Sequence, residues 1–68
     1  MTIQVSVNGE RREVSPRTTL GELVAVVTGL ATGVAAAVNG EVVPRGSWPR
    51  TQLRDGDQVE VVTAVQGG

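Results

Sequence analysis

The chain has 68 residues, 40% hydrophobic and 19% charged, with a formal charge of −1 at pH 7. That is one small domain with apolar residues for a modest core, and so slight a charge argues against an electrostatic grip on nucleic acid or anionic lipid. Cysteine and histidine are absent, which removes disulfides, thiolate and imidazole metal ligands, Cys nucleophiles and the commonest general base. No apolar run approaches the roughly 18 residues of a membrane span. The start, Met1-Thr2-Ile3-Gln4-Val5, lacks the basic and apolar blocks of a signal peptide. A soluble cytoplasmic protein is expected.

Ile3, Val5 and Val7 alternate with Gln4 and Ser6, the period-two signal of a half-buried strand. Asn8-Gly9 suits a tight type I′ hairpin turn, because both residues tolerate positive φ. The return strand, about Glu10 to Val14, is mostly charged and belongs at a sheet edge. Two-residue pairing sets Arg12 opposite Val5, with its stem along apolar surface and its head at the rim. Thr19-x-x-Glu22 reads as a capping box. It opens a helix of about ten residues in which Leu20, Leu23, Val24 and Val27 share one face, Leu30 lies beside them, and Gly29 fits the left-handed C-terminal position. A helix so short and so β-branched holds only if that stripe packs on a sheet.

Val34 to Val38 predicts a third strand, and Asn39-Gly40 a second hairpin turn into Glu41-Val42-Val43. Pro44 lacks a ladder donor, so the fourth strand is short and at an edge. Residues 44–54 read as irregular, with Trp48, the sole aromatic, among them. Asp55-Gly56-Asp57 reads as a turn, and Val59 to Val65 is the strongest strand signal in the chain. The order is hairpin, helix, hairpin, strand. One apolar stripe must cover one sheet face. Pairing the two most apolar strands, the first and last, side by side and parallel gives an α+β fold: a ubiquitin-like β-grasp with a mixed sheet of about five strands and one main helix. The folded domain is expected over residues 1–65, with a flexible tail at 66–68.

The reactive groups point away from catalysis by the chain itself. Ser6, Ser15 and Ser47 have no His, Cys or Lys anywhere to activate them, and nucleophile-elbow, dinucleotide and phosphate-loop patterns are missing. Asp55 and Asp57 are turn formers rather than a calcium site. No metal site and no bound cofactor are expected. What stands out is Gln66-Gly67-Gly68, which displays a carboxylate on a tip without side chains. Three extended residues reach roughly 10 Å. Such a tip passes a narrow channel and lets its backbone approach a nucleotide closely. A carboxylate needs activation before it accepts a nucleophile, and condensation with ATP to an acyl-adenylate supplies a leaving group. A sulfur donor then gives a thiocarboxylate, whereas a lysine amine gives an isopeptide conjugate, and the tail serves both. A passive β-grasp binding module is the third reading.

The run Val38-Asn39-Gly40-Glu41-Val42-Val43-Pro44-Arg45, then Trp48, Leu53-x-Asp55-Gly56-Asp57 and Val59 through Gly68, resembles the ThiS family of thiamine-pathway sulfur carriers within the wider ThiS and MoaD-like group. The V-P-R-x-x-W segment and the A-V-Q-G-G ending carry the likeness to ThiS in particular. The resemblance implies that Gly68 is adenylated by an E1-like ThiF-type adenylyltransferase at the expense of ATP. A sulfur-donor protein then brings it to the thiocarboxylate, and a thiazole synthase takes the sulfur. It implies further that Gly67 is the slim neck and that Gln66 and Val65 lie at the mouth of the partner's channel. Related carriers serve molybdopterin or cysteine synthesis on the same principle. The outward residues Ala35, Ala37, Val62 and Ala64 read as a flat docking face for the activating enzyme or as a surface covered by the loop of Trp48. Trp48 itself reads as a core cap, with a place on the docking surface as its other role. Arg45, Arg50 and Arg54 read as a solvated rim. A monomer is expected when the protein is free.

Overall fold

The computed structural model describes residues 1–29 and 33–63. Leu30, from the helical stripe, and Ala64, Val65, Gln66, Gly67 and Gly68 lie outside the described residues, and with them the boundary between domain and tail. The elements are β1 (Ile3–Val7), β2 (Glu10–Val14), α1 (Leu20–Thr28), β3 (Val34–Val38), β4 (Glu41–Val43), a 3-10 helix (Arg45–Arg50) and β5 (Gln58–Thr63). The strands form one sheet in the order β2-β1-β5-β3-β4. β1 and β5 are parallel, Val7 facing Val59, and every other pair is antiparallel. This is the β-grasp arrangement expected from the sequence.

Local chemistry sets each boundary. Asn8 and Asn39 take φ of 52° and Gly9 and Gly40 φ of 86° and 85°, so both turns have the left-handed residues that match the twist of a hairpin. β2 pairs with β1 with Arg12 opposite Val5, and Arg12 is exposed. In α1, the Thr19 hydroxyl accepts from the Glu22 N–H at 3.2 Å, while the Thr19 N–H donates to the Glu22 carboxylate at 3.0 Å. At the far end Gly29, φ 66°, donates its N–H to the Ala25 carbonyl at 3.1 Å. A capping box and a left-handed glycine thus bound a helix of nine residues.

The helix lays Leu20, Leu23 and Val24 on the inner sheet face, against Val5, Val7, Ala36, Val59 and Val61. Val27 packs at the margin, whereas Val26 points away and is 71% exposed. The segment expected to be irregular contains the 3-10 helix. Pro44 accepts from the Ser47 N–H at 2.8 Å, and Trp48 accepts from the Thr51 N–H at 3.2 Å. Two prolines, a glycine and a serine in this stretch give no periodicity to read. The turn forms because the Trp48 indole has an apolar site to fill, and a short 3-10 run places it there. The chain then returns to the start of α1, where the Leu53 N–H donates to Thr18 at 3.0 Å and the Leu20 N–H to Thr51 at 2.7 Å.

Leu20 is fully buried at the helix start. Leu20→Ala should cost about 2–5 kcal/mol in urea unfolding, a large share of the stability of so small a domain. Val26→Ala on the exposed helix face should stay within about 0.5 kcal/mol.

Candidate functional site

Alternation along the strands divides the sheet into an inner face under α1 and an outer face. The register sets Ala35 opposite Val62, Ala37 opposite Glu60 and, on the other side, Ala37 opposite Val42. These outward residues form a contiguous apolar area. Because the β3 residues are alanines, the surface dips between the longer neighbours into a depression of about 180 Å³. Val42 is 77% and Val62 is 61% exposed. Glu60 contributes the one charge to its lining. The other half of the face has Gln4, Ser6 and Gln58 on the central strands and Arg11 and Glu13 on β2, so the outer face is half apolar and half polar. Isolated exposed valines are ordinary, but exposed β-branched side chains grouped on a flat sheet beside a charged area have the character of a contact surface.

Of the outward residues named from the sequence, Ala35, Ala37 and Val62 meet on this surface, and Ala64 lies outside the described residues. Val42 and Glu60 were missed. The sequence marks Val42 only as part of an edge strand, and the signal that finds it is the pairing of β4 with β3, which no single-strand pattern contains.

Trp48 is not on this surface. It is 6% exposed, on the opposite side of the sheet, and a Cβ built on Gly21 of α1 meets its Cβ at 3.5 Å. Its indole Nε1 donates to the Val43 carbonyl at 2.9 Å. The Arg45 guanidinium stands 5.4 Å from the ring centroid, a cation–π contact over the indole. An apolar ring with one donor is therefore satisfied inside the domain, and the role on the docking surface is corrected to that of a core cap. The loop of Trp48 packs on the helix side and not over the outer face of β3 and β5.

The acidic turn residues serve the fold. Asp55 accepts from the Gln4 N–H at 2.8 Å, and Asp57 accepts from the Arg54 N–H at 2.8 Å and from the Asn39 side-chain amide at 3.0 Å. Among the described residues, no group of three or more acidic side chains could hold a metal ion. Arg50 and Arg54 are exposed at the rim beside Gln52, whose amide donates to the Pro16 carbonyl at 2.8 Å. The residues expected to carry the chemistry, Gly68 with Gly67, Gln66 and Val65, lie outside the described residues. They follow β5 in the sequence, the strand that carries Val62 and Glu60 on the apolar face.

The model of the ThiS family matches residues 5–68. The sulfur carrier protein ThiS of Escherichia coli is 29% identical over 66 residues, which cover 97% of this chain and all of that protein. A thiazole synthase of Paramagnetospirillum magneticum is 32% identical over 66 residues, 97% of this chain but 20% of that longer protein. Among solved structures, the crystal structure of the thiamine biosynthesis protein ThiS from Geobacter metallireducens superposes with a TM-score of 0.80 at 32% identity, covering 97% of this chain and all of the other.

The buried indole yields a direct check. Trp48→Phe keeps an aromatic ring in the site and removes the indole donor to Val43 together with part of the buried ring. Stability followed by circular dichroism should fall by about 1–3 kcal/mol.

Proposed function

The chain belongs to the ThiS family, and on that premise we propose that it is a sulfur carrier for thiazole formation in thiamine synthesis, with Gly68 as the loaded residue. The observation that carries this reading is the family match, which runs through Gly68 and so takes in the closing Gln66-Gly67-Gly68.

The carboxylate of Gly68 attacks the α-phosphorus of ATP and releases pyrophosphate, which converts an unreactive anion into an acyl-adenylate. Sulfur at the oxidation level of sulfide, brought by a donor protein, then attacks the acyl carbon and expels AMP. The product is a thiocarboxylate, a soft nucleophile on a protein handle. The chain binds no cofactor or metal of its own; ATP is consumed by a ThiF-type activating enzyme in the cytoplasm. Catalysis lies with the partners, and the chain is their reactant. Glycines at 67 and 68 let the tip enter a narrow active site, with Gln66 and Val65 at its mouth.

Thiazole synthase is the acceptor in this reading, supported by the thiazole synthase that contains a segment 32% identical to this chain. Ordering a free tail costs a partner about 1–2 kcal/mol per residue. Contacts with the folded body offset that cost, and the apolar area around Ala35, Ala37, Val42 and Val62 suits the activating enzyme. Its valines and alanines supply desolvation, and Glu60 takes a cation.

Intact-mass spectrometry of the protein with the activating enzyme, ATP and sulfide should show sulfur replacing oxygen at the C-terminus. Deleting Gly68 should abolish that gain and leave the folded domain intact. Conjugates to lysines of other proteins, with no sulfur gained, would indicate a protein modifier instead. Val62→Asp puts a charge on the docking area without touching the core. It should raise KM for the activating enzyme about tenfold, equivalent to about 1.4 kcal/mol, with thermal stability unchanged.

A further inference from the structure

The Asn-Gly turns do more than reverse the chain. The parallel ladder between β1 and β5 ends with Val7 facing Val59 and the Asn8 N–H donating to the Val59 carbonyl at 2.9 Å. There the main chain turns away into β2, while β5 continues to Thr63. On its other side β5 stays paired with β3 to the end, Thr63 facing Val34. The side left open by the departure of β1 presents the N–H and C=O of Val61. The Asn8 side chain meets both: its Oδ1 accepts from the Val61 N–H at 2.9 Å, and its Nδ2 donates to the Val61 carbonyl at 3.0 Å. A carboxamide offers the donor and acceptor of a peptide group, so this side chain adds one further rung after the backbone has left.

Turn geometry alone does not call for that amide, because glycine adopts the same positive φ without strain. Asn39 provides the comparison. It occupies the same place in the second hairpin, and its Oδ1 accepts from the Gln58 N–H at 2.9 Å, at the beginning of β5. One asparagine therefore bonds the first residue of β5 and the other its fourth, and Asn8 holds the half from which the sequence proceeds to residues 64–68.

We propose that Asn8 is a positioning residue for the loading of Gly68: by clamping Val61 to the end of β1, its side-chain amide fixes the second half of β5, the strand that leads in sequence to residues 64–68, relative to the docking face. The inference rests on the carrier reading. An enzyme that grips the outer face of β3, β4 and β5 places the acyl end only as well as the end of β5 is fixed within that body. Releasing Val61 on one side leaves the pairing of β3 with β5 in place, and with it the docking area. Loss of the clamp therefore acts on the step after docking.

The test is adenylation by the activating enzyme, read as ATP-dependent pyrophosphate exchange, for the parent, Asn8→Gly, Asn8→Asp and Asn39→Gly, each checked for folding by circular dichroism. Asn8→Gly should lower kcat about tenfold with KM within about twofold. Asn8→Asp keeps the acceptor and loses the donor, and should fall between it and the parent. Asn39→Gly should stay within about twofold of the parent, although it removes a turn side chain that bonds the first residue of the same strand. Faster hydrogen exchange at the Val61 amide in Asn8→Gly should accompany the kinetic loss. Unchanged kcat in Asn8→Gly, equal losses in the two glycine variants, or a rise in KM alone would each overturn the proposal. A parent that supports no exchange would sink the carrier reading itself, while unaltered exchange at Val61 would sink the clamp independently of it.

Discussion

β5 is the strand on which the remaining elements depend. It is bonded on one side to β1 and on the other to β3, with its inward valines, Val59 and Val61, under the helix. The first hairpin docks on it through the parallel ladder and the second through the antiparallel one. Neither hairpin makes a stable sheet alone. The pairing of chain start with chain end is thus the long-range contact that converts two hairpins and a marginal helix into one cooperative unit. In the proposed reading it also ties the sheet to function, because the most enclosed strand is the one that leads in sequence toward Gly68.

The core around β5 is built from small and medium side chains. Valine and alanine supply most of the inner sheet face, and Leu20, Leu23 and Leu53 fill the space beneath the helix. Such side chains leave one end of the core open between the helix and Val43, and the Trp48 indole closes it. The same economy in side-chain size makes the outer face shallow. Alanines at 35 and 37 create a depression bordered by Val42 and Val62, so one composition serves both packing inside and contact outside.

Much of this fold is legible in the sequence because its boundaries are marked by local chemistry. Asn-Gly pairs announce both hairpins, Thr19 and Glu22 open the helix, Gly29 closes it, and alternation in Ile3–Val7 marks the first strand. The parallel pairing of the first strand with the last follows from the order of the elements and the single helical stripe that must cover one sheet face; composition does not give it, since β3 is the strand apolar at every position. The 3-10 turn around Trp48 escapes such reading, since tertiary burial of one ring produces it and no repeat encodes it. The bond between Asn8 and Val61 escapes too: positive φ is enough to explain an asparagine in a turn, and only the fold reveals that its amide faces a strand 53 positions away. Val42 and Glu60 join the outer area through strand pairing, a relation absent from any local window. The glycine pair at 67 and 68 is read from the sequence as chemistry alone, and it lies outside the described residues.

In the proposed reading, the β-grasp body and the apolar sheet area beside its central strand, exposed among the described residues, suit a group carrier loaded at Gly68. The body then gives partners something to recognise, and Gly68 would supply the reacting atom. Transfer of labelled sulfur tests that account most directly: the protein, loaded with radioactive sulfur and separated from its loading enzymes, is mixed with thiazole synthase and the remaining thiazole precursors. The account predicts that label leaves the carrier and appears in the thiazole ring within a single turnover. Label that stays on the carrier, or a ring whose sulfur arrives unlabelled from another source, would contradict it.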